Sequence, residues 1–358
     1  MTSTEVRKGM PSAQISRAQF DQRMRANFYD PAFEKLEGEV EKIIEAAWDA
    51  YSNSRKSPRT QKAGPGYANP HYDLSVEWVA ARKAIEGAQR LHEDTSAPSS
   101  ILLINGATRS EHTCPGEMSK TFRLVTVAQE CMREQGMDVE ILDLSRTASE
   151  YGRTIFPCKT CVSTAMPLCH WPCSCYPNHS LAQVNDWMND IYPMWVRAHG
   201  IMIISPVNWY MAPSALKSMI DRLVCADGGN PDPSSTHGKD AARAKEIELG
   251  GWDYPRHLAG RAFSVVTHAD STGATEVNTM LSDWLSDMGL ISAGHLANLA
   301  RYIGYMKPYA TSHGDLDADD ALHEEVRNAA RTLAEAVGML RRGELKQAGA
   351  GLQEPRPK

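Results

Sequence analysis

Four short apolar-rich runs, each followed by a stretch of helical periodicity, constrain this 358-residue chain more than any other feature. They are Ile101-Leu102-Leu103-Ile104, Val139 to Leu144 (VEILDL), Gly200 to Ser205 (GIMIIS) and Ala262 to Thr267 (AFSVVT). Such runs are too short for buried helices, and most lack the alternation of a half-exposed strand. They read as strands covered on both faces. Helices are expected between them over Glu117 to Gln135 (stopped by Gly136), Gln183 to Arg197, Pro213 to Val224 and Val277 to Met288. A last strand is expected over Ala293 to Leu299 and a long terminal helix over Asp319 to Arg341. The alternation predicts an α/β fold: a doubly wound parallel sheet of five strands.

Ahead of this pattern, residues 1–97 carry no strand-like segment and read as a helical N-terminal extension. Asp30-Pro31 opens an expected helix through Tyr51, with Phe33, Leu36, Val40, Ile43, Ile44, Ala47 and Trp48 on one face. Residues 52–74 hold three Pro and two Gly and read as a loop, followed by a helix from Ser75 to His92. Residues 98–343 form the expected main domain, and 344–358 a polar tail expected to be disordered.

A 42% hydrophobic and 23% charged composition suits a buried core. The net charge of −6 argues against nucleic-acid or anionic-membrane partners, which need a basic field. The N-terminus carries no apolar signal stretch, and no run of about 18 apolar residues occurs, so the expectation is a cytoplasmic protein without a membrane span.

In an open parallel sheet, ligands sit outside the carboxyl ends of the strands where the strand order reverses. Three loops are therefore candidates. The first, Gly106 to Gly116 (GATRSEHTCPG), is dense in hydroxyls, holds Arg109 and opens onto a helix N-terminus, which suits a phosphate. A plain capped strand-to-helix turn is the other reading. It is neither a Walker loop nor a Gly-x-Gly-x-x-Gly fingerprint. The second, Ser205 to Ser214, sets Pro206, Val207, Asn208, Trp209 and Tyr210 in a row. An amide and two aromatics behind a proline suit a flat, partly polar ring, unless the aromatics are simply core. The third is His268-Ala269-Asp270-Ser271-Thr272-Gly273. A lone loop histidine there reads as solvated, or as a donor beside a ligand.

The order Gly-x-x-Arg, then Ser-Pro-Val-x-Trp and Leu-Lys-x-x-Ile-Asp-Arg, resembles the NADPH-dependent FMN reductase branch of the flavodoxin-like superfamily over about residues 100–310. The resemblance implies flavin mononucleotide (FMN) as cofactor and NAD(P)H as co-substrate. It puts the FMN phosphate at Thr108, Arg109, Ser110 and Thr113. The ring falls to Pro206, Val207, Asn208, Trp209 and Tyr210, flanked by His268, Asp270 and Gly273. It also implies a homodimer or homotetramer, and a small quinone, azo, nitro or flavin acceptor. No side chain is singled out as catalytic, because the cofactor carries the chemistry.

Five of the eight cysteines, Cys158, Cys161, Cys169, Cys173 and Cys175, fall within 18 residues. In a chain without an export signal, such clustering points to a metal or redox role. Iron–sulfur flavoproteins related to this family carry a cysteine motif in the same place, which implies a [4Fe–4S] cluster and an electron-transfer protein as the alternative function. The residues themselves leave three readings open: a cluster or zinc held by four thiolates, metal-free thiols, or a zinc site that also uses His170 and His179.

Overall fold

A computed structural model of the protein describes residues 4–114 and 116–345. Most of the expected tail, and Pro115 of the first loop, lie outside the described residues.

The apolar runs form one sheet: β1 (Ser100–Asn105), β2 (Asp138–Asp143), β3 (Gly200–Pro206), β4 (Ala262–Ala269), β5 (Ile291–Ser292) and β6 (Asn298–Tyr302). Every residue of β1 and β4 is buried, as continuous apolar runs require. All pairings are parallel, in the order β2-β1-β3-β4-β5, with β6 also on β4. The order reverses between β1 and β3.

Six strands stand where five are expected. The run expected at Ala293 to Leu299 is split: β5 pairs with Ala262 and Phe263, and β6 with Val265 to Ala269. Gly294, at φ 126°, and a single 3₁₀ turn over His295–Ala297 interrupt the strand. Side chains patch the gap, with Ser264 Oγ donating to Ala297 O (2.6 Å) and Asn298 Oδ1 accepting from Val265 N–H (3.3 Å).

Helices α1 (Lys120–Glu134), α2 (Met188–Arg197), α3 (Ser214–Arg222), α4 (Ala274–Asp287) and α5 (Asp320–Arg341) follow the expected segments. On one face of the sheet Ile101, Leu103, Met202, Ile204 and Val266 pack with Leu124, Ala128 and Met132 of α1 and with Val326, Ala330, Leu333 and Val337 of α5. Trp195 of α2 is fully buried and meets Trp284 of α4 edge to face. Burial of apolar area of this kind stabilises by about 25 cal/mol per Å².

Chain contacts divide the molecule into two compact units. One holds Ala81–Cys158, Trp187–Gly229 and the chain from Tyr254, and contains the whole six-stranded sheet. The other gathers the residues up to Ala80 with Lys159–Asp186 and Asn230–Asp253, so four of the five loop cysteines sit in the unit of the N-terminal helices. Within it, Asp30 Oδ1 accepts from Ala32 N–H (2.8 Å) ahead of Pro31, but the first turns are 3₁₀ (Pro31–Leu36) before the α-helix Glu37–Ser52 begins.

Two further corrections belong here. The N-terminal region does contain strands, an antiparallel pair of Thr60–Lys62 and Asp73–Ser75 inside the expected loop. Three residues apiece, the first fully exposed and the second burying Leu74, leave no apolar alternation to read. A helix over Arg17–Arg25, with a Ser16/Gln19 capping box, buries no residue and so shows no apolar face.

Candidate functional site

The carboxyl ends of β1, β3 and β4 lie side by side, and the three loops that follow meet there. Gly106 leaves β1 against the end of β3: its N–H donates to Ile204 O (2.8 Å), and a Cβ would stand 3.0 Å from Ser205. Only glycine allows so close an approach without displacing the strand. The loop then folds on itself. Thr113 Oγ1 donates to Ser110 O (2.7 Å), and Ser110 Oγ accepts from His112 N–H (3.2 Å). Ser119 caps α1 by accepting from Phe122 N–H (3.0 Å), and its carbonyl accepts from Arg123 N–H (3.1 Å), which leaves the amides of Lys120 and Thr121 with no acceptor within the helix.

Above this helix start lies a cavity of about 240 Å³, lined by Arg109, Ser110, Ser119, Phe122, Asp143 and Ser145 among others. Arg109 turns its guanidinium to Glu117 Oε2 (2.6 Å). Asp143 accepts from Asn105 Nδ2 (2.7 Å) and Ser145 N–H (3.1 Å), so its carboxylate is committed to the ends of β1 and β2. Of the expected phosphate residues, Arg109 and Ser110 line the cavity. Thr108 is half-buried behind it, and Thr113 shapes the loop through Ser110.

The second loop turns tightly. Asn208 and Met211 exchange backbone hydrogen bonds (2.9 and 3.0 Å), with Trp209 and Tyr210 between them at φ 47° and 65°. Two consecutive left-handed residues form the turn that Asn-Gly ordinarily supplies, and bulky side chains there are strained. Trp209 is 93% exposed and Tyr210 63%, so neither is a core aromatic. Gly273 of the third loop, at φ 103°, approaches this turn so closely that a Cβ would meet Val207 Cγ1 at 3.2 Å.

His268 is not a solvated loop residue. It is the penultimate residue of β4, 5% exposed, and its Nε2 shares a 2.9 Å hydrogen bond with Thr121 Oγ1. Burial pushes its pKa down to about 4, so the ring is neutral at pH 7. Its backbone oxygen, rather than its ring, serves the site by accepting from Val207 N–H (2.9 Å). Because the folded pKa lies below the unfolded value, this histidine's contribution to stability is present above pH 6.5 and lost as pH falls from 6.5 towards 4. The loss is of order 3 kcal/mol. His268→Gln is expected to flatten that part of a melting-temperature profile; an unchanged acid slope would show that the destabilising proton binds elsewhere.

Sequence reading passed over the contact that joins the first helix to the third loop. Lys120, 9% exposed, pairs with Asp270 Oδ1 at 2.6 Å. Ser119, Asp143 and Ser145 were also passed over. Ser119 preceding an amphipathic helix is a legible cap signal; the other residues carry no signal in sequence.

Of the five clustered cysteines, Cys161, Cys169, Cys173 and Cys175 lie in the N-terminal unit and Cys158 in the sheet unit. Cys161 Sγ is 3.5 Å from Cys175 Sγ, and Cys175 N–H points to Cys173 Sγ at 3.5 Å. Among the described residues, no three His, Cys, Asp or Glu side chains are grouped to hold a metal ion. His170 is buried and held neutral, its two ring nitrogens engaged by Ser174 Oγ (2.5 Å) and Thr236 Oγ1 (2.9 Å).

An open parallel sheet in the order β2-β1-β3-β4-β5, with helices on both faces, is the flavodoxin-like fold. The chain belongs to the NADPH-dependent FMN reductase family, whose model matches residues 99–302, more than half of its length. It is thus an NAD(P)H-dependent flavin oxidoreductase. Solved structures of similar fold include RosB with a bound 8-demethyl-8-formylriboflavin-5'-phosphate intermediate (16% identical, 69% of this chain and 82% of that one, TM-score 0.46). The azoreductase AzrA is 11% identical (66% and 100% covered, TM-score 0.37). The NAD(P)H:quinone oxidoreductase of Methanothermobacter marburgensis is 17% identical (70% and 96% covered, TM-score 0.34). No curated protein sequence matches the chain. Among the described residues no helix is long and apolar enough to cross a membrane.

Proposed function

We propose that this chain binds FMN at the carboxyl ends of β1, β3 and β4 and passes electrons from NAD(P)H to a small organic acceptor such as a quinone, azo, nitro or flavin compound. The observation that carries this reading is the pairing of a polar cavity at the α1 N-terminus with an exposed aromatic turn one strand away.

The residues present fit the cofactor. Ser110 and Ser119 hydroxyls, the Arg109 guanidinium and the first amides of α1 are a phosphate's donors. Trp209 and Tyr210 offer a flat face for the ring, with Asn208 and the backbone of Pro206 and Val207 as polar edges. Gly273 leaves room beside them, and the Lys120–Asp270 pair holds the third loop to α1. When bound, FMN accepts hydride from the nicotinamide and yields electrons to the acceptor. The protein's own task is to bind, orient and shield, and no side chain has to move a proton at a defined atom. The exposed turn leaves the ring reachable, which suits a small diffusible acceptor. A homodimer or homotetramer belongs to the same proposal, and sedimentation of the FMN-loaded protein would read it.

The test is to titrate the flavin-free protein with FMN and then follow NAD(P)H oxidation with a small quinone, an azo dye and a nitroarene. Stoichiometric FMN and turnover with at least one acceptor are expected. Absence of flavin binding would overturn the assignment. Turnover that requires ferredoxin would favour the electron-transfer alternative.

A further inference from the structure

None of the five clustered cysteines is among the residues lining the cavity at the α1 N-terminus, and the geometry of their loop suits a reaction of its own. Cys161 is partly exposed and Cys175 is buried behind it, their sulfurs 3.5 Å apart. Lys239 Nζ stands 3.7 Å from Cys161 Sγ and is anchored by donating to Leu168 O (2.9 Å). Lys56 donates to the carbonyl of Ser174, next to Cys175. The groups that oppose the Lys239 charge are the sulfurs of Cys161, Cys169, Cys173 and Cys175; those opposing Lys56 are Cys173 and Cys175.

An accessible sulfur, a second sulfur behind it and a cation beside the first are what thiol–disulfide exchange needs. The thiolate is the nucleophile, and the Cys175 thiol at 3.5 Å and the Lys239 ammonium at 3.7 Å both stabilise it on Cys161. Both lysines also line a cavity of about 300 Å³ with Tyr72, Trp78, His170 and His237. Asp73 also lines it but is paired with Lys62 (2.8 Å), so the two ammonium groups favour a carboxylate-bearing ligand.

We propose that Cys161 and Cys175 form a redox-active dithiol that reduces small anionic disulfides, Cys161 attacking and Cys175 resolving. The Cys161 thiolate forms a bond to one sulfur of the substrate, whose S–S bond breaks and releases the first thiolate. Cys175 then gives up its proton and bonds to Cys161 Sγ, expelling the second thiolate. The two leaving thiolates take up the protons lost by Cys161 and Cys175. The protein dithiol is oxidised by two electrons and the disulfide is reduced to two thiols. An external small-molecule thiol in excess returns the dithiol by the reverse exchange.

The experiment uses the full-length, FMN-loaded protein without NAD(P)H, so that the flavin supplies no electrons, and oxidised glutathione as the probe. Thiols are counted after unfolding, and links are mapped by mass spectrometry without reduction. Two of the eight thiols should disappear, with a Cys161–Cys175 link. Cys175→Ser should trap one glutathione on Cys161, and Cys161→Ser should lose no thiol. Cationic cystamine should react roughly tenfold more slowly than oxidised glutathione, and Lys239→Met should slow the glutathione reaction by about the same factor. Alkylation of Cys161 at neutral pH should be faster in the unmodified protein than in Lys239→Met; this reading does not depend on the cysteine variants folding. No thiol loss, a link between other cysteines, equal rates with both probes, or stoichiometric iron or zinc on these thiols in the purified protein would each overturn the proposal.

Discussion

Arg109→Ala is expected to weaken FMN binding by roughly ten- to a hundredfold in a fluorescence titration of the flavin-free protein. Among the described residues that line the cavity at the α1 N-terminus, Arg109 is the one arginine or lysine. Its present partner is Glu117, and both side chains are more than a third exposed, at 38% and 53%. Exposed ion pairs are worth at most about 1 kcal/mol, so a phosphate can draw the guanidinium away at little cost. A charge-assisted hydrogen bond to phosphate contributes about 1.5–3 kcal/mol, which is one to two decades in affinity. Glu117→Ala provides the contrast: it frees the guanidinium, and FMN affinity should stay level or rise. If Arg109→Ala binds FMN as tightly as the unmodified protein, the phosphate does not sit in this cavity.

The double change Trp209→Asn, Tyr210→Gly is expected to move stability and flavin affinity in opposite directions. Both residues hold positive φ values in a tight turn, which costs of order 1 kcal/mol or more for each bulky side chain. Asn-Gly takes up that conformation without strain, so the melting temperature should rise by a few degrees. A stacked aromatic is worth about 1–3 kcal/mol against a planar ring, so FMN affinity should fall roughly tenfold or more. A fall in both would mean that the aromatics support the fold. No change in flavin affinity would remove the turn from the site. Strain held in an exposed pair of aromatics has no packing return, which is why a ligand is the natural reason for it.

Much of the fold is legible because burial on both faces of a parallel sheet demands continuous apolar strands. Leu102, Leu103, Ile203 and Ile204 satisfy that demand wherever they are read. The ends of those strands follow from the same runs to within two residues: β3 runs one residue beyond Ser205, to Pro206, and β4 two beyond Thr267, to Ala269, before the loops begin. Backbone geometry was not legible. A split last strand depends on the φ of Gly294, and the aromatic turn depends on a conformation that Trp209 and Tyr210 do not favour. Short exposed strands such as Thr60–Lys62 leave no periodic trace.

By itself the sequence determined the strand and helix order, the apolar core and the clustering of thiols, because periodicity and composition answer to the local demand for burial. Tertiary structure alone decided which distant groups meet: Lys120 with Asp270, the His268 ring with Thr121, and Cys161 with Cys175 fourteen positions on. Those contacts arise from how the chain closes on itself, and a hydrogen bond between residues far apart in sequence leaves no pattern along it.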